Sequence, residues 1–250
     1  MPNARKTAII TGASGGIGHA VAQAFVEREY NVVLTGTNED NLLSAEAFMN
    51  SPSSVFTVVA DVTSKADRDR LVEATLAKFG RIDALVNNAG IFEPQPFLDV
   101  DEGDLDRFLN VNLKGTFFLT QAVMPHLIAA GGGAVINIGT ALVDHAIAGV
   151  PATAAVVSKG AIHALTAQLA AEFGKDGIRV NTIAPGIIRT PIHARNGVEE
   201  ADSLAGLHLL DRIGEPKEIA DAALVLADSA FITGTVMNVD GGHVAGHILR

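Results

Sequence analysis

With 250 residues, 48% hydrophobic and 18% charged, the chain suits one large α/β domain with an extensive core, which excludes a disordered protein. The formal net charge of −10, with no basic cluster, excludes a phosphate-backbone partner, so no nucleic-acid contact is expected. The absence of cysteine excludes disulfides, thiolate catalysis and cysteine-ligated metal, and fits a reducing compartment.

Met1–Lys6 leads directly into the first strand, and no apolar run nears the roughly 18 residues of a membrane span, so a cytoplasmic, unexported protein without membrane contact is expected. The first strand, Ala8-Ile9-Ile10, meets the glycine turn Thr11-Gly12-Ala13-Ser14-Gly15-Gly16-Ile17-Gly18, which opens a helical pattern through Val21, Ala22, Phe25 and Val26. Gly12 permits the tight turn, Gly16 lets backbone approach a phosphate, and Gly18 lets helix and strand pack closely. The free N–H groups and positive dipole end at that helix start favour a pyrophosphate, so the turn reads as a dinucleotide site.

Asn31–Thr35 reads as a buried second strand ending at Gly36-Thr37-Asn38, where dinucleotide folds meet the adenosine ribose. An acid there favours NAD and an arginine favours a 2′-phosphate. Neither is present; the missing acid removes a repulsion and tilts the expectation to NADP over NAD, although neither Gly15 nor Thr37 supplies a cation. A third strand, Val55–Ala60, ends in Asp61-Val62, and a charged helix spans about Lys65–Phe79. The fourth strand, Asp83–Val86, closes at Asn87-Asn88-Ala89-Gly90. One long amphipathic helix is expected from about Asp104 to Ala130, with Asn112 inside its apolar pattern as a satisfied core amide or a functional one.

Gly131–Gly133 stop that helix, and strand five follows at Ala134–Gly139. A helix with Pro151 near its first turn runs to about Phe173; strand six spans Ile178–Ile183 and leads into Ala184-Pro185-Gly186-Ile187-Ile188-Arg189-Thr190-Pro191. Residues 192 to 213 read as a mobile loop with a short helix, and an insertion after a strand's carboxyl end fits a substrate lid at about 188 to 213. A helix from about Lys217 to Ala227 and a strand at Thr235–Val239 close the chain before Asp240-Gly241-Gly242. The alternation predicts a single-domain α/β fold of the Rossmann type, a doubly wound parallel sheet with helices on both faces and its ligand crevice at the strands' carboxyl ends.

These segments together resemble the short-chain dehydrogenase/reductase family over nearly the whole length. The resemblance rests on Thr11-Gly-x-x-x-Gly-x-Gly18, Asp61-Val62, Asn87-Asn-Ala-Gly90, Asn112 in Val-Asn-Leu-Lys-Gly, Asn181 before Pro185-Gly186, and Asp240-Gly-Gly. It implies a seven-stranded sheet, NADP or NAD as cofactor, a small-molecule substrate, and a homotetramer or dimer. It also implies cofactor contacts at Gly12, Ser14, Gly16, Ile17, Gly18, Thr37, Asp61, Val62, Asn87, Ala89, Gly90, Lys159, Pro185, Gly186, Ile188 and Thr190.

The family's catalysis implies Asn, Ser, Tyr and Lys, the last two four apart on one helix face. There the ammonium lowers the phenol's pKa and holds the ribose, and the phenol gives the proton. Asn112 matches the first and Lys159 the last, but Ala155 stands at the tyrosine position and Thr140 at the serine position. Thr153 lies about 200° round the helix from position 155, and Tyr30, the one tyrosine, lies at the far end of the first helix. His145 is the titratable side chain expected near the crevice, either a loop histidine or a replacement acid.

The leading expectation is an NAD(P)-dependent oxidoreductase of small or apolar substrates with Asn112, Thr140, Lys159 and His145 as its site. A dinucleotide-binding protein without turnover is the rival, and non-redox lyase or hydrolase chemistry through His145 a third reading. No metal is expected: only His243 and His247 share an i, i+4 spacing, and a tail or subunit contact fits them better. The run Asp99, Asp101, Glu102, Asp104 reads as helix capping.

Overall fold

The computed structural model describes residues 5–197 and 200–246. Seven parallel strands form one sheet in the order β3-β2-β1-β4-β5-β6-β7. They are β1 (Thr7–Thr11), β2 (Asn31–Gly36), β3 (Val55–Val59), β4 (Ala84–Asn87), β5 (Gly133–Ile138), β6 (Ile178–Pro185) and β7 (Val236–Val239). The order reverses between β1 and β4, the switch point where such sheets open their ligand crevice.

Alternation along each buried strand sends successive side chains to opposite faces. Ala8, Ile10, Val32, Leu34 and Val86 pack with α1 (Gly16–Glu27), α2 (Glu39–Met49) and α8 (Pro216–Asp228). Ile9, Val33, Leu85 and Val135 pack with α3 (Lys65–Phe79), α5 (Thr116–Ala129) and α6 (Thr153–Phe173). The result is three layers, α/β/α, with the core on both sides of the sheet.

Local chemistry explains several helix starts. Asn38 caps α2 through Asn41 N, Ser64 caps α3 through Asp67 N, and Asp101 forms a capping box with Asp104 on α4 (Glu102–Phe108), the role read for that acidic run. The helix α2 is an addition to the sequence reading, which passed over this stretch.

The expected single helix over 104–130 is corrected. It is α4, then a π-helical segment at Leu109–Gly115, then α5. The π segment packs tightly, since a Cβ on Gly115 would meet Val62 Cγ2 at 2.7 Å. Such insertions occur often at functional sites, and this one carries Asn112. The stretch read as a mobile loop holds α7 (Ile192–Arg195) and a 3₁₀ turn at Ala201–Leu207, and Ile188 bridges in parallel to Gly214.

Candidate active site

A crevice of about 1310 Å³ opens at the carboxyl ends of the strands. Of the residues expected there, Gly12, Ser14, Gly16, Ile17, Thr37, Asp61, Val62, Ala89, Gly90, Thr140, Lys159, Pro185, Gly186, Ile188 and Thr190 line it. Gly12 and Gly16 have φ of +62° and +54°, conformations that glycine adopts without strain. The start of α1 has no side-chain cap and no acid in its first turn, leaving its N–H groups to the crevice.

Four expected residues take different positions. Gly18 lies beneath the turn, where a Cβ would come 2.3 Å from the Gly12 carbonyl oxygen, so it sets the approach of α1 to the turn. Asn87 points into the core: its Nδ2 donates to Thr120 Oγ1 and Asn137 Oδ1, both at 2.9 Å. Asn112 is fully buried behind the crevice, with Ile91 N donating to its Oδ1 (2.8 Å) and its Nδ2 donating to Ile91 O (3.0 Å) and Ser158 Oγ (2.9 Å). His145 is corrected as a crevice-facing acid: its turn sets its ring edge-on to His243 at 5.0 Å, and its side chain does not line the crevice.

The histidines that do line it are His193 and His243. His193 Nε2 lies 2.7 Å from Ile188 O; His243 Nδ1 lies 2.9 Å from Leu207 O and its Nε2 3.3 Å from His145 O. His243, read as a tail or subunit contact, thus sits at the crevice, and only its position just after Asp240-Gly-Gly pointed there. The i, i+4 partner named with it, His247, lies outside the described residues. Arg68 also lines the crevice, donating from Nη1 to Val62 O at 2.6 Å, and nothing in the sequence flagged it.

Ala155 is buried among Phe108, Ala154, Ile91, Phe92 and Val100. Lys159, one turn on, reaches the end of β5, where Nζ donates to Ile138 O at 2.7 Å. Its ammonium lies deep among protein atoms although the side chain as a whole is only partly buried, and this desolvation lowers its pKa to about 8. Thr140 Oγ1 accepts from Leu142 N at 3.3 Å. Tyr30 is remote from the crevice, donating to Asp228 Oδ1 at 3.3 Å; burial first, then Asp228, pushes its phenol up to about 12.

A family model described as enoyl-(acyl carrier protein) reductase matches residues 12–244. The subunit BbsD of a (2S)-[(R)-hydroxy(phenyl)methyl]succinyl-CoA dehydrogenase from Thauera aromatica is 36% identical over 240 residues, 95% of this chain and 96% of that protein. The chain belongs to the short-chain dehydrogenase/reductase family. The 3-oxoacyl-[acyl-carrier-protein] reductase FabG of Thermotoga maritima is 35% identical over 243 residues, covering 96% and 98% of the two chains. The solved structure described as ElxO with NADP bound superposes with a TM-score of 0.89 at 29% identity, covering 97% of this chain and 100% of that one.

The residues present fit the dinucleotide that this family uses. A Cβ on Gly15 would meet nothing within 4 Å, so the uncapped turn of α1 presents backbone to open space where a pyrophosphate would lie. Thr11 Oγ1 accepts from Asn88 N (2.9 Å) and Ala89 N (2.8 Å), locking the β1 turn to the loop after β4 across the floor of the crevice. At the end of β2, Ser14, Gly36, Thr37 and Asn41 line the wall without formal charge.

Proposed function

We propose that this chain is an NAD(P)-dependent short-chain oxidoreductase that reduces a carbonyl or oxidises an alcohol on a small or apolar substrate, with an active site built without a phenol. The uncapped glycine cradle at the start of α1, in the same crevice as Lys159, carries this reading. The α1 turn would hold the pyrophosphate, Asp61 and Val62 would flank the adenine side, and Lys159 would meet the nicotinamide ribose. Asp61 is held for this by Thr63, whose N and Oγ1 both donate to its Oδ1 at 2.8 Å.

When bound, the reduced cofactor supplies a hydride. The chain supplies the rest: Asn112 fixes Gly90-Ile91 from behind, and the Thr140 hydroxyl would donate a hydrogen bond to a developing oxyanion. Ile91, Phe92, Leu142, Pro191 and Ile192 give the outer crevice its apolar wall, which supports a small or apolar substrate. The strap from Ile188 to Ile213 would act as the lid. Its crevice edge is held by Asn196 Nδ2 donating to Phe92 O (2.9 Å), and Arg189 is clamped to Asp202 and Glu215. Exposed Phe117 and Ile128 on α5 support a homo-oligomer.

One observation favours a second reading, a dinucleotide-binding subunit without turnover: Ala155 is enclosed by apolar side chains, so no proton carrier replaces a phenol at that point. A comparison of the chain with Ala155→Tyr separates the two, by cofactor affinity and by nicotinamide absorbance change over a carbonyl and alcohol panel. Turnover by the unchanged chain supports the oxidoreductase; cofactor binding with turnover only in the tyrosine variant supports the silent subunit.

A further inference from the structure

Lys159 is placed to do more than hold a ribose. Its ammonium has three N–H donors, and the one hydrogen bond found for it, to Ile138 O at 2.7 Å, uses one of them. No carboxylate pairs with it among the described residues. Gly90 covers it without a side chain: a Cβ there would lie 3.0 Å from Lys159 Nζ and 3.0 Å from Asn112 Oδ1. Lys159 thus lines the crevice beside a wall position that carries no Cβ, and Ala155, one turn back on the same helix face, brings only a methyl group.

Three of the other proton carriers that line the crevice are committed elsewhere. His193 Nε2 is on Ile188 O, His243 has a carbonyl oxygen at each ring nitrogen, and the Arg107 guanidinium is paired with Glu93 at 2.6 and 2.9 Å. Thr140 is an alcohol and cannot give up a proton near neutrality without a base.

We propose that Lys159 is itself the general acid and base of this site, exchanging a proton directly with the substrate oxygen. The inference rests on the oxidoreductase reading above. In the reducing direction a hydride from the bound reduced nicotinamide forms the new C–H bond, and the carbonyl π pair moves to oxygen. That oxygen takes the proton as one Nζ–H bond of Lys159 breaks, and the neutral amine left behind is reprotonated from solvent. Oxidation runs the same transfers backwards, with the amine accepting the hydroxyl proton. The lowered pKa of Lys159 supports this role, because an acid poised near the working pH both holds and yields its proton.

Two measurements test it. In cofactor-free protein carrying ¹³C-lysine, with the Lys159 signal assigned by its loss in Lys159→Arg, the amine should titrate near 8; titration at an ordinary lysine value, about 10.4, overturns the proposal whatever the activity. In Lys159→Ala, shown folded by circular dichroism, kcat should fall at least about 100-fold, and added primary amines should restore it with a rate that depends on amine pKa. A kcat unchanged at saturating cofactor, or rescue that ignores amine pKa, overturns the proposal and leaves the oxidoreductase reading standing. Cofactor binding by the unchanged chain with no turnover of any carbonyl or alcohol takes down both.

Discussion

Asn112 and Ser158 are joined by a hydrogen bond of 2.9 Å, from Asn112 Nδ2 to Ser158 Oγ, and the Ser158 hydroxyl in turn donates to Ala155 O at 2.7 Å. The π segment is thereby tied to the first turns of α6, next to Lys159. Asn112→Ala leaves the Ile91 N–H and C=O and the Ser158 hydroxyl short of partners in the interior. Unsatisfied buried groups cost about 1–3 kcal/mol each before relaxation, so the variant should lose about 2–4 kcal/mol in denaturant unfolding. Cofactor affinity should fall with it, because Gly90 moves with Ile91.

The turn before α1 makes a prediction with an internal control. Gly18→Ala drives a Cβ to 2.3 Å from Gly12 O and 2.5 Å from Asn88 Nδ2, and neither the backbone oxygen nor the doubly bonded amide has room to give way. Affinity for the dinucleotide should drop at least about tenfold, a cost of about 1.4 kcal/mol or more. Gly15→Ala meets nothing within 4 Å at an extended φ of −179°, so its unfolding free energy should change by less than about 1 kcal/mol. Equal loss of unfolding free energy in the two variants contradicts this account of the cradle.

Burying an ammonium costs stability that a neutral side chain recovers. The folded pKa of Lys159, about 8, lies below its unfolded value of about 10.4, so the unfolded chain binds more protons between those limits and stability rises with pH across them. Below about pH 8 the penalty is constant. Lys159→Met should therefore stabilise the fold at pH 7 by roughly 1–3 kcal/mol, discounted for the partly open side chain. The advantage should shrink as pH approaches 10.4, as read by chemical denaturation at pH 7, 9 and 10.

Acid should act through the histidines. Burial lowers the pKa of His163, whose Nε2 is enclosed without a partner against Gly139; Asp144 opposes that shift and Lys159 adds to it. Burial also lowers His208 and His19. Each binds its proton more readily when unfolded, so stability falls as pH drops from about 6.5 toward the lower folded values. His163→Gln should flatten part of that slope in thermal unfolding between pH 7 and 5.

Much of this was legible in the chain because strong local signals agreed with the fold. Short apolar strands, the glycine turn and the Lys65–Phe79 helix lie where the pattern puts them. What escaped had weak or misleading signals. The helix α2 buries only Leu42 and Ala45, too few for a periodic stripe, although Asn38 before it and Asn50 at φ +46° after it were local marks of its ends. The π segment shifts the helix face without changing composition, so one continuous pattern was read through it. Asn87 and His145 stand in segments that border the crevice, but Asn87 bonds into the core and the His145 ring packs on His243, a matter of direction that spacing along the chain does not encode.

The opening turn of α1 is expected to bind a nicotinamide dinucleotide in spite of the alanine at 155. Titrating the purified protein with NADPH and with NADH, followed by the nicotinamide fluorescence and by calorimetry, tests it most directly. Saturable one-to-one binding of at least one of them, weakened in Gly18→Ala and retained in Ala155→Tyr, is the expected result. A folded protein that binds neither contradicts the account.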